Sequence, residues 1–544
     1  METGYLDRFN SRRSPVAARR GMVAATQPLA ATAGLRILLS GGNAADAAVA
    51  AAAALSVTEP ASTGLGGDCF ALFYEARSRR ITALNGSGRA PAALTLEVLA
   101  DRGLTDGWPP HHPLTITVPG ACAGWCDLLT RHGTMPLGDI LAPAIEMAEQ
   151  GFPVGPVTSW YWRDGVSRLQ RSSNGWRELT LDGRGPRPGE VMRLPALART
   201  LRAVAEGGQE AFYRGDIARR IAGVVQVHGG VLTTDDLTAH QSTWEEPIST
   251  VYRGVKVWEC PPNGQGLAAL LALNLLEGFD LEGQDPIGPE RLHLMIEVMR
   301  IAFADTRWHV ADPLVSPAPL DDLLSQSYAA RRRGLIDLSQ AKVDTRPGSP
   351  ETGSDTVYLT VVDGWGNACS FINSVYMAFG TGLVAEGTGL SLQNRGWCFS
   401  LEPGHPNALA PRKRPYHTII PALATRARDG SLFASFGVMG GYMQPQGHLQ
   451  VLVGLVDDGL DPQAALDRPR FCLTEAAPSS RVELEEGVAA ATMSRLARLG
   501  HDVVMVHGYA RSVFGRGQII SRDPETGVLL GGSDPRADGQ AVGW

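Results

Sequence analysis

Apolar and polar positions along this 544-residue chain change their period several times. In PLGDILAPAIEMAEQGF, Leu137, Ile140, Leu141, Ala144 and Ala148 recur at three- and four-residue spacing. That spacing predicts an amphipathic helix ending at Gly151. LAALLALNLLEGF and ERLHLMIEVMRIAFADTRW follow the same rule and predict two more helices; GHLQVLVGLVDDGL and AAATMSRLARLG read as later ones. AADAAVAAAAALSV has no polar face, which predicts a fully buried helix, with Asn43 as its N-cap.

The period falls to two elsewhere. After the glycine turn TGLGGDC, the segments FALFYEA and RRITALNGSGRAP predict a hairpin. Beyond residue 355 short strands dominate. Thr356, Tyr358, Thr360 and Val362 alternate with Val357, Leu359 and Val361; GWGN makes a turn and ACSFINSVY returns, the pattern of an ordinary surface hairpin. With 364–367 as the loop, Asp363 faces Ala368 and Thr356 faces Val375, one residue from Ser374. SLFASFGVMGG predicts another strand, and no internal repeat is present. Strands, helices and strands again, with one shift of composition near 344–355, predict an α+β layered domain with a breakpoint in the middle.

Composition narrows the function. Hydrophobic residues make up 44% and charged residues 19%, the values of a soluble globular protein. The net charge is −7 and the 49 Lys and Arg residues are scattered, which speaks against nucleic acid and membrane surfaces as partners. The seven cysteines have irregular spacing without C-x-x-C, so neither a disulfide framework nor a cysteine zinc site is expected; Cys122 and Cys126 read as core residues. The histidines form no H-E-x-x-H, and no metal or cofactor is implied. The apolar run GMVAATQPLAATAGLRILL is broken by Gln27, Pro28 and Arg36 and lacks a cleavage site, so a cytoplasmic protein is expected.

The candidate chemistry starts at residue 356. The polar leader DTRPGSPETGSD runs directly into strand-initial Thr356. If the chain is cut between Asp355 and Thr356, the new α-amine, with an ordinary pKa of about 7.7–8.0, sits beside the hydroxyl as its general base. An ordinary strand threonine is the alternative. Ser374 is within reach of that hydroxyl by register. Gly440 and Gly441 follow a strand and precede a helix, where paired N–H groups can stabilise an oxyanion, or simply form a tight turn.

SPVAARRGMVAATQPLAATAG, GGNAADAAVA, TEPASTGLGGD, HGTMPLGDILAPAIEMAEQGF, EVMRIAFADTRW, TVYLTVVDGWGNACSF, FGTGLVAEGTG and SDPRADGQAVGW, in this order over nearly the whole chain, resemble the γ-glutamyltransferase family of N-terminal-nucleophile hydrolases. The resemblance implies a four-layer αββα sandwich and a proenzyme that cuts itself into a large subunit, 1–355, and a small subunit, 356–544, paired as a heterodimer. It also implies Thr356 as nucleophile, Asp355–Thr356 as the processed bond and Gly440–Gly441 as the oxyanion hole. Ser374 stands where the family has a threonine assisting the nucleophile.

Departures fall where a glutamyl group would bind. Ser87 occupies the position of the family's carboxylate-binding arginine, with Arg89 two residues on. Cys398 replaces the ammonium-binding aspartate, Arg395 a glutamine, Tyr376 an asparagine, and His417–Thr418 a serine pair. The partner for an ammonium is lost and a guanidinium is gained. Arg89 and Arg395 either bind a compact anion or pair with structural acids. NGSGRAP, LQNRG, RPYHTIIPA and MGGYMQPQGH resemble the branch that contains oxamate amidohydrolase. The expectation is an amidohydrolase for a small, carboxylate-bearing, oxamate-type amide. The alternatives are γ-glutamyl or glutathione chemistry, oxalyl C–C bond cleavage, and an uncut binding protein.

Overall fold

The computed structural model describes residues 13–105, 107–342, 355–474 and 480–544. The leader expected over 344–355 therefore lies, apart from Asp355, outside the described residues.

Two seven-stranded sheets face each other. The first runs, edge to edge, Gln540–Gly543, Met22–Ala25, Asp355–Val362, Ala368–Tyr376, Asp68–Glu75, Arg80–Gly86 and Thr243–Glu245. The second runs Val16–Ala18, Leu529–Ser533, Arg516–Arg522, Leu432–Met439, Ala422–Arg426, Val255–Glu259 and Ile248–Tyr252. Neighbouring strands in both pair antiparallel. Between the sheets, Met22, Ala24, Phe70, Leu72, Tyr358 and Ile372 pack with Leu423, Met439 and Ile520. On the outer face of the first sheet, Val357, Leu359, Val361 and Phe371 pack under helices; Val257, Ala424 and Phe436 do the same for the second. The result is the expected αββα sandwich.

The period-two pattern at 356–376 is thus not that of a surface hairpin. Its alternation separates two buried faces, helix-side Val357, Leu359 and Val361 from sheet-side Tyr358, Thr360 and Val362. The polar members are satisfied internally: Tyr358 Oη meets Ser370 Oγ at 2.7 Å, and Thr360 Oγ1 donates to Ser435 Oγ of the opposite sheet.

The alanine helix spans Ala44–Thr58 and is buried along its whole length. Small side chains let it pack tightly against helices Pro28–Leu39 and Leu137–Gln150 and strand Asp355–Val362. Asn43 caps it as expected, and Asp46, the residue that looks misplaced in an apolar run, completes the capping box and accepts from Thr134 Oγ1 at 2.6 Å. Asp363, in the 362–368 turn, accepts from Ala44 N at 3.0 Å, so the hairpin turn helps fix the helix start. Helices Leu137–Gln150, Gly266–Leu276, Pro289–His309, Met443–Val456 and Ala490–Arg498 stand where the apolar spacing places them. Gly151 closes the first of these at φ 97°, a left-handed conformation open to glycine. All seven cysteines are free thiols, and among the described residues no helix is long and apolar enough to cross a membrane.

Candidate active site

Thr356 begins one central strand and Ser374 lies near the end of its neighbour. Most of the hairpin pairs one residue away from the expected register: Val362 rather than Asp363 opposes Ala368. The ladder then shifts between Asp355 and Val357, so that Asp355 opposes Tyr376. This irregularity falls on Thr356 and sets its Oγ1 3.1 Å from Ser374 Oγ. Either hydroxyl can donate in that contact, and both residues are fully buried. Ser374 Oγ also accepts from Tyr376 N at 2.8 Å. Its backbone position depends on Gly67, where a Cβ would stand 2.1 Å from the Ser374 carbonyl oxygen.

Arg395 enters from the short helical turn Arg395–Cys398. Its Nη2 approaches Ser374 Oγ at 3.5 Å, Nη1 donates to Thr418 Oγ1 at 2.7 Å and to Cys398 Sγ at 3.9 Å, and the guanidinium stacks 4.2 Å over the Tyr376 ring. The side chain is fully buried, its Nε has no hydrogen-bond partner, and no carboxylate of the described residues forms an ion pair with it. Burial holds the Cys398 thiol above its ordinary pKa despite Arg395, so it is a neutral sulfur beside a cation.

His417 lies one step behind. Its Nδ1 accepts from Ile419 N at 3.3 Å, so Nε2–H points to Asp68 Oδ2 at 3.1 Å. Burial, with Arg395 adding to it, lowers the imidazole pKa to about 3, which keeps it neutral. Burial alone would raise Asp68, but the His417 hydrogen bond and the positive field of Arg395 outweigh it and hold the carboxyl below its ordinary value. Gln393 Nε2 donates to the other carboxylate oxygen at 2.9 Å.

Gly440 (φ 133°) and Gly441 (φ 58°) form a left-handed turn between strand Leu432–Met439 and helix Met443–Val456. The Gly441 carbonyl accepts from Gln265 Nε2 at 2.8 Å, which fixes the orientation of the turn. Both glycines line a cavity of about 270 Å³ together with Trp160, Tyr161, Tyr376 and Arg516. Arg516 Nη2 donates to the Thr356 carbonyl at 3.4 Å, and Arg516 ion-pairs with Glu59 at 3.6 Å. The cavity therefore abuts the head of the Thr356 strand through Tyr376 and Arg516.

The fold thus brings together Thr356, Ser374, Tyr376, Arg395, Cys398 and Thr418, with His417 behind them. Arg89 is not among them. Its Nη1 binds Asp312 at 2.8 Å and the Arg412 carbonyl at 3.2 Å, which decides for the structural-acid alternative at that residue. Ser87 is likewise structural, donating to Asn85 Oδ1 at 2.7 Å. Among the residues of this network, the sequence alone does not single out Asp68, Gln265, Gln393 or Arg516. Only Asp68 carries a local signal, the glycine turn TGLGGDC in front of it.

Comparison with known proteins gives the family. The glutathione hydrolase-like YwrD proenzyme of Bacillus subtilis (strain 168) is 37% identical over 529 residues, covering 96% of this chain and 98% of that protein. The oxamate amidohydrolase proenzyme of Klebsiella pneumoniae subsp. pneumoniae is 36% identical, covering 96% and 98%. The crystal structure of a cephalosporin acylase from Bacillus halodurans superposes with a TM-score of 0.91 at 46% identity, covering 98% of each chain. The family model for gamma-glutamyltranspeptidase matches residues 30–544. With two facing sheets, a threonine at the head of a central strand and matches along nearly its whole length, the chain belongs to the γ-glutamyltranspeptidase family and is an amide-cleaving enzyme of the N-terminal-nucleophile type.

Proposed function

We propose that the protein cuts itself between Asp355 and Thr356 and then hydrolyses the amide of a small, carboxylate-bearing substrate of oxamate type. The observation that carries the substrate reading is Arg395, a fully buried guanidinium without an ion-pair partner among the described residues, 3.5 Å from the hydroxyl that touches Thr356. Asp68 offsets Arg395 through space but forms no ion pair with it, and a substrate carboxylate supplies a direct, hydrogen-bonded partner. Cys398, neutral beside it, offers nothing to an α-ammonium. The relative named oxamate amidohydrolase supports the same class.

In the uncut chain Thr356 Oγ1 attacks the Asp355 carbonyl carbon and the peptide C–N bond breaks. The departing nitrogen takes up the proton lost by the hydroxyl and becomes the free α-amine, and water opens the resulting ester. Asp355 is laddered against Tyr376, so loss of that pairing opens the Tyr376 end of the site to the cavity. In turnover the Thr356 amine takes the hydroxyl proton and Oγ1 adds to the substrate carbonyl. Gly440 and Gly441 N–H groups hold the oxyanion, the amine leaves with the proton, and water releases the acid from the acyl-enzyme. Ser374 orients the nucleophile. The cavity gives the leaving amine room.

The test is kcat/KM for oxamate and for glutathione or γ-glutamyl-p-nitroanilide, on wild type and Arg395→Ala. Oxamate is expected to be preferred by about 10³ or more, the effect of several kcal/mol at an uncompensated ammonium. Arg395→Ala is expected to raise KM for oxamate and to lower kcat as well if the anchor also orients the carbonyl. Glutathione as the better substrate by about tenfold, a difference of about 1.4 kcal/mol, overturns this assignment in favour of a rebuilt glutamyl site.

A further inference from the structure

A second buried polar cluster shares no hydrogen bond with the Thr356 network among the described residues. His293 and Glu297 stand four residues apart on one face of helix Pro289–His309, and His501 follows helix Ala490–Arg498. All three are buried. One nitrogen from each ring and one Glu297 carboxylate oxygen lie within 4.8 Å of one another. His293 Nε2 donates to the Asp337 carbonyl at 2.9 Å, which leaves the lone pair on Nδ1; that atom meets His501 Nε2 at 2.7 Å.

A simple imidazole pair does not account for the remaining atoms. If His501 Nε2 donates to His293, its own Nδ1 becomes a buried acceptor, and it has no hydrogen-bond partner. Glu297 Oε1 is also buried without a hydrogen bond, facing Arg300 Nε at 3.5 Å, while Oε2 accepts from Lys342 N at 2.9 Å. Three potential ligand atoms thus converge within 4.8 Å, the geometry a cation needs, and Arg300, with Nε and Nη1 buried and without hydrogen-bond partners, stands beside Glu297. The His293–carbonyl hydrogen bond is the outer contact that orients a metal-bound imidazole. Two nitrogens and a carboxylate oxygen suit zinc, with water as a fourth ligand. Two Zn–N bonds of about 2.0 Å at a tetrahedral angle need the nitrogens about 3.3 Å apart, a shift of roughly half an ångström. Arg300 opposes the ion and the Glu297 charge offsets it, which suits an ion removable by a chelator.

We propose that His293, Glu297 and His501 form a structural zinc site, a ligand set that the sequence, with its scattered histidines, does not disclose. On the reading that the chain is cut before Thr356, the first two ligands belong to the large subunit and the third to the small one. The ion then bridges the two chains. Residues 341 and 342 of the large subunit are held at the same place: Ala341 N donates to the Leu499 carbonyl at 2.7 Å, and Lys342 N to Glu297.

The test strips the purified full-length protein with a chelator, adds zinc chloride as the probe, and measures retained zinc by mass spectrometry after desalting, together with thermal melting. About one zinc per chain is expected in wild type and equally in an uncut Thr356→Ala chain, falling at least about fivefold in His293→Gln and His501→Gln. Zinc is expected to raise the melting temperature of wild type and to leave that of His501→Gln unchanged. Less than about one zinc per ten wild-type chains overturns the proposal, as does equal uptake by wild type and both variants. If a histidine variant does not fold, Glu297→Gln, nearly isosteric, takes its place in the comparison. Cleavage is scored separately on a denaturing gel, and zinc uptake by the uncut chain keeps the two readings distinguishable.

Discussion

At Thr356 the carbonyl is held as well as the hydroxyl: Arg516 donates to the first and Ser374 Oγ lies 3.1 Å from the second. Thr356→Ala keeps the strand but removes the attacking oxygen. It is expected to remain one chain on a denaturing gel and to be inactive, whereas wild type gives two chains, the smaller beginning at Thr356 by N-terminal sequencing. A fully active, uncut wild type would sink this mechanism. A second consequence at this scale concerns acid. His417 and His240 are buried and neutral, each with a pKa lowered to about 3, burial being the largest cause. Unfolding exposes them, and their pKa returns to about 6.5. Between these values the unfolded chain binds more protons, so stability falls as the pH drops from about 6.5 towards 3, by up to about 1.4 kcal/mol per pH unit for each group. His417→Gln is expected to take up about one proton fewer on unfolding at pH 5, read from the slope of unfolding free energy against pH. An unchanged slope would show that His417 is already charged in the fold.

Among the elements, the turn at Gly440–Gly441 carries the sharpest expectation. Gly441 sits at φ 58°, and Gly440 has no room to spare, since a Cβ there would stand 3.1 Å from Gly515 Cα. Valine at 441, β-branched, is strained in that conformation and displaces the N–H donors. Gly441→Val is expected to lower kcat by about 10²–10³, the effect of losing one oxyanion donor, with the fold retained by circular dichroism. Wild-type turnover would show the turn to be structural only. Elements were the most legible part of the sequence, because spacing of apolar residues is local information. Leu137–Gln150 and Ala44–Thr58 could be read from period and caps alone. The register at Thr356 could not, because the shift between Asp355 and Val357 is set by neighbouring strands rather than by turn length. The same limit separates Arg395 from Arg89. Both are arginines near a family position, and only the fold shows Asp312, 223 residues away from Arg89, closing one of them off.

Across the whole molecule, the two stretches on either side of the Asp355–Thr356 bond are interleaved. In the first sheet, strand Asp355–Val362 lies between Met22–Ala25 and Ala368–Tyr376, and Ala368–Tyr376 in turn pairs with Asp68–Glu75. The second sheet joins the two stretches at two seams, Val16–Ala18 beside Leu529–Ser533 and Ala422–Arg426 beside Val255–Glu259. The two cut chains are therefore expected to elute together on size exclusion without denaturant and to melt in a single transition. Separate elution of either piece in native buffer would contradict the shared core. The displaced pairing at Thr356 has a further consequence. On the proposed self-cleavage, the groups involved arrive from the hairpin and, through Gly440 and Gly441, from the opposite sheet, so a misfolded copy is expected to stay uncut. Scission then acts as a receipt for correct assembly. On that reading, the fraction of two-chain material in a preparation measures how many copies reached the native fold.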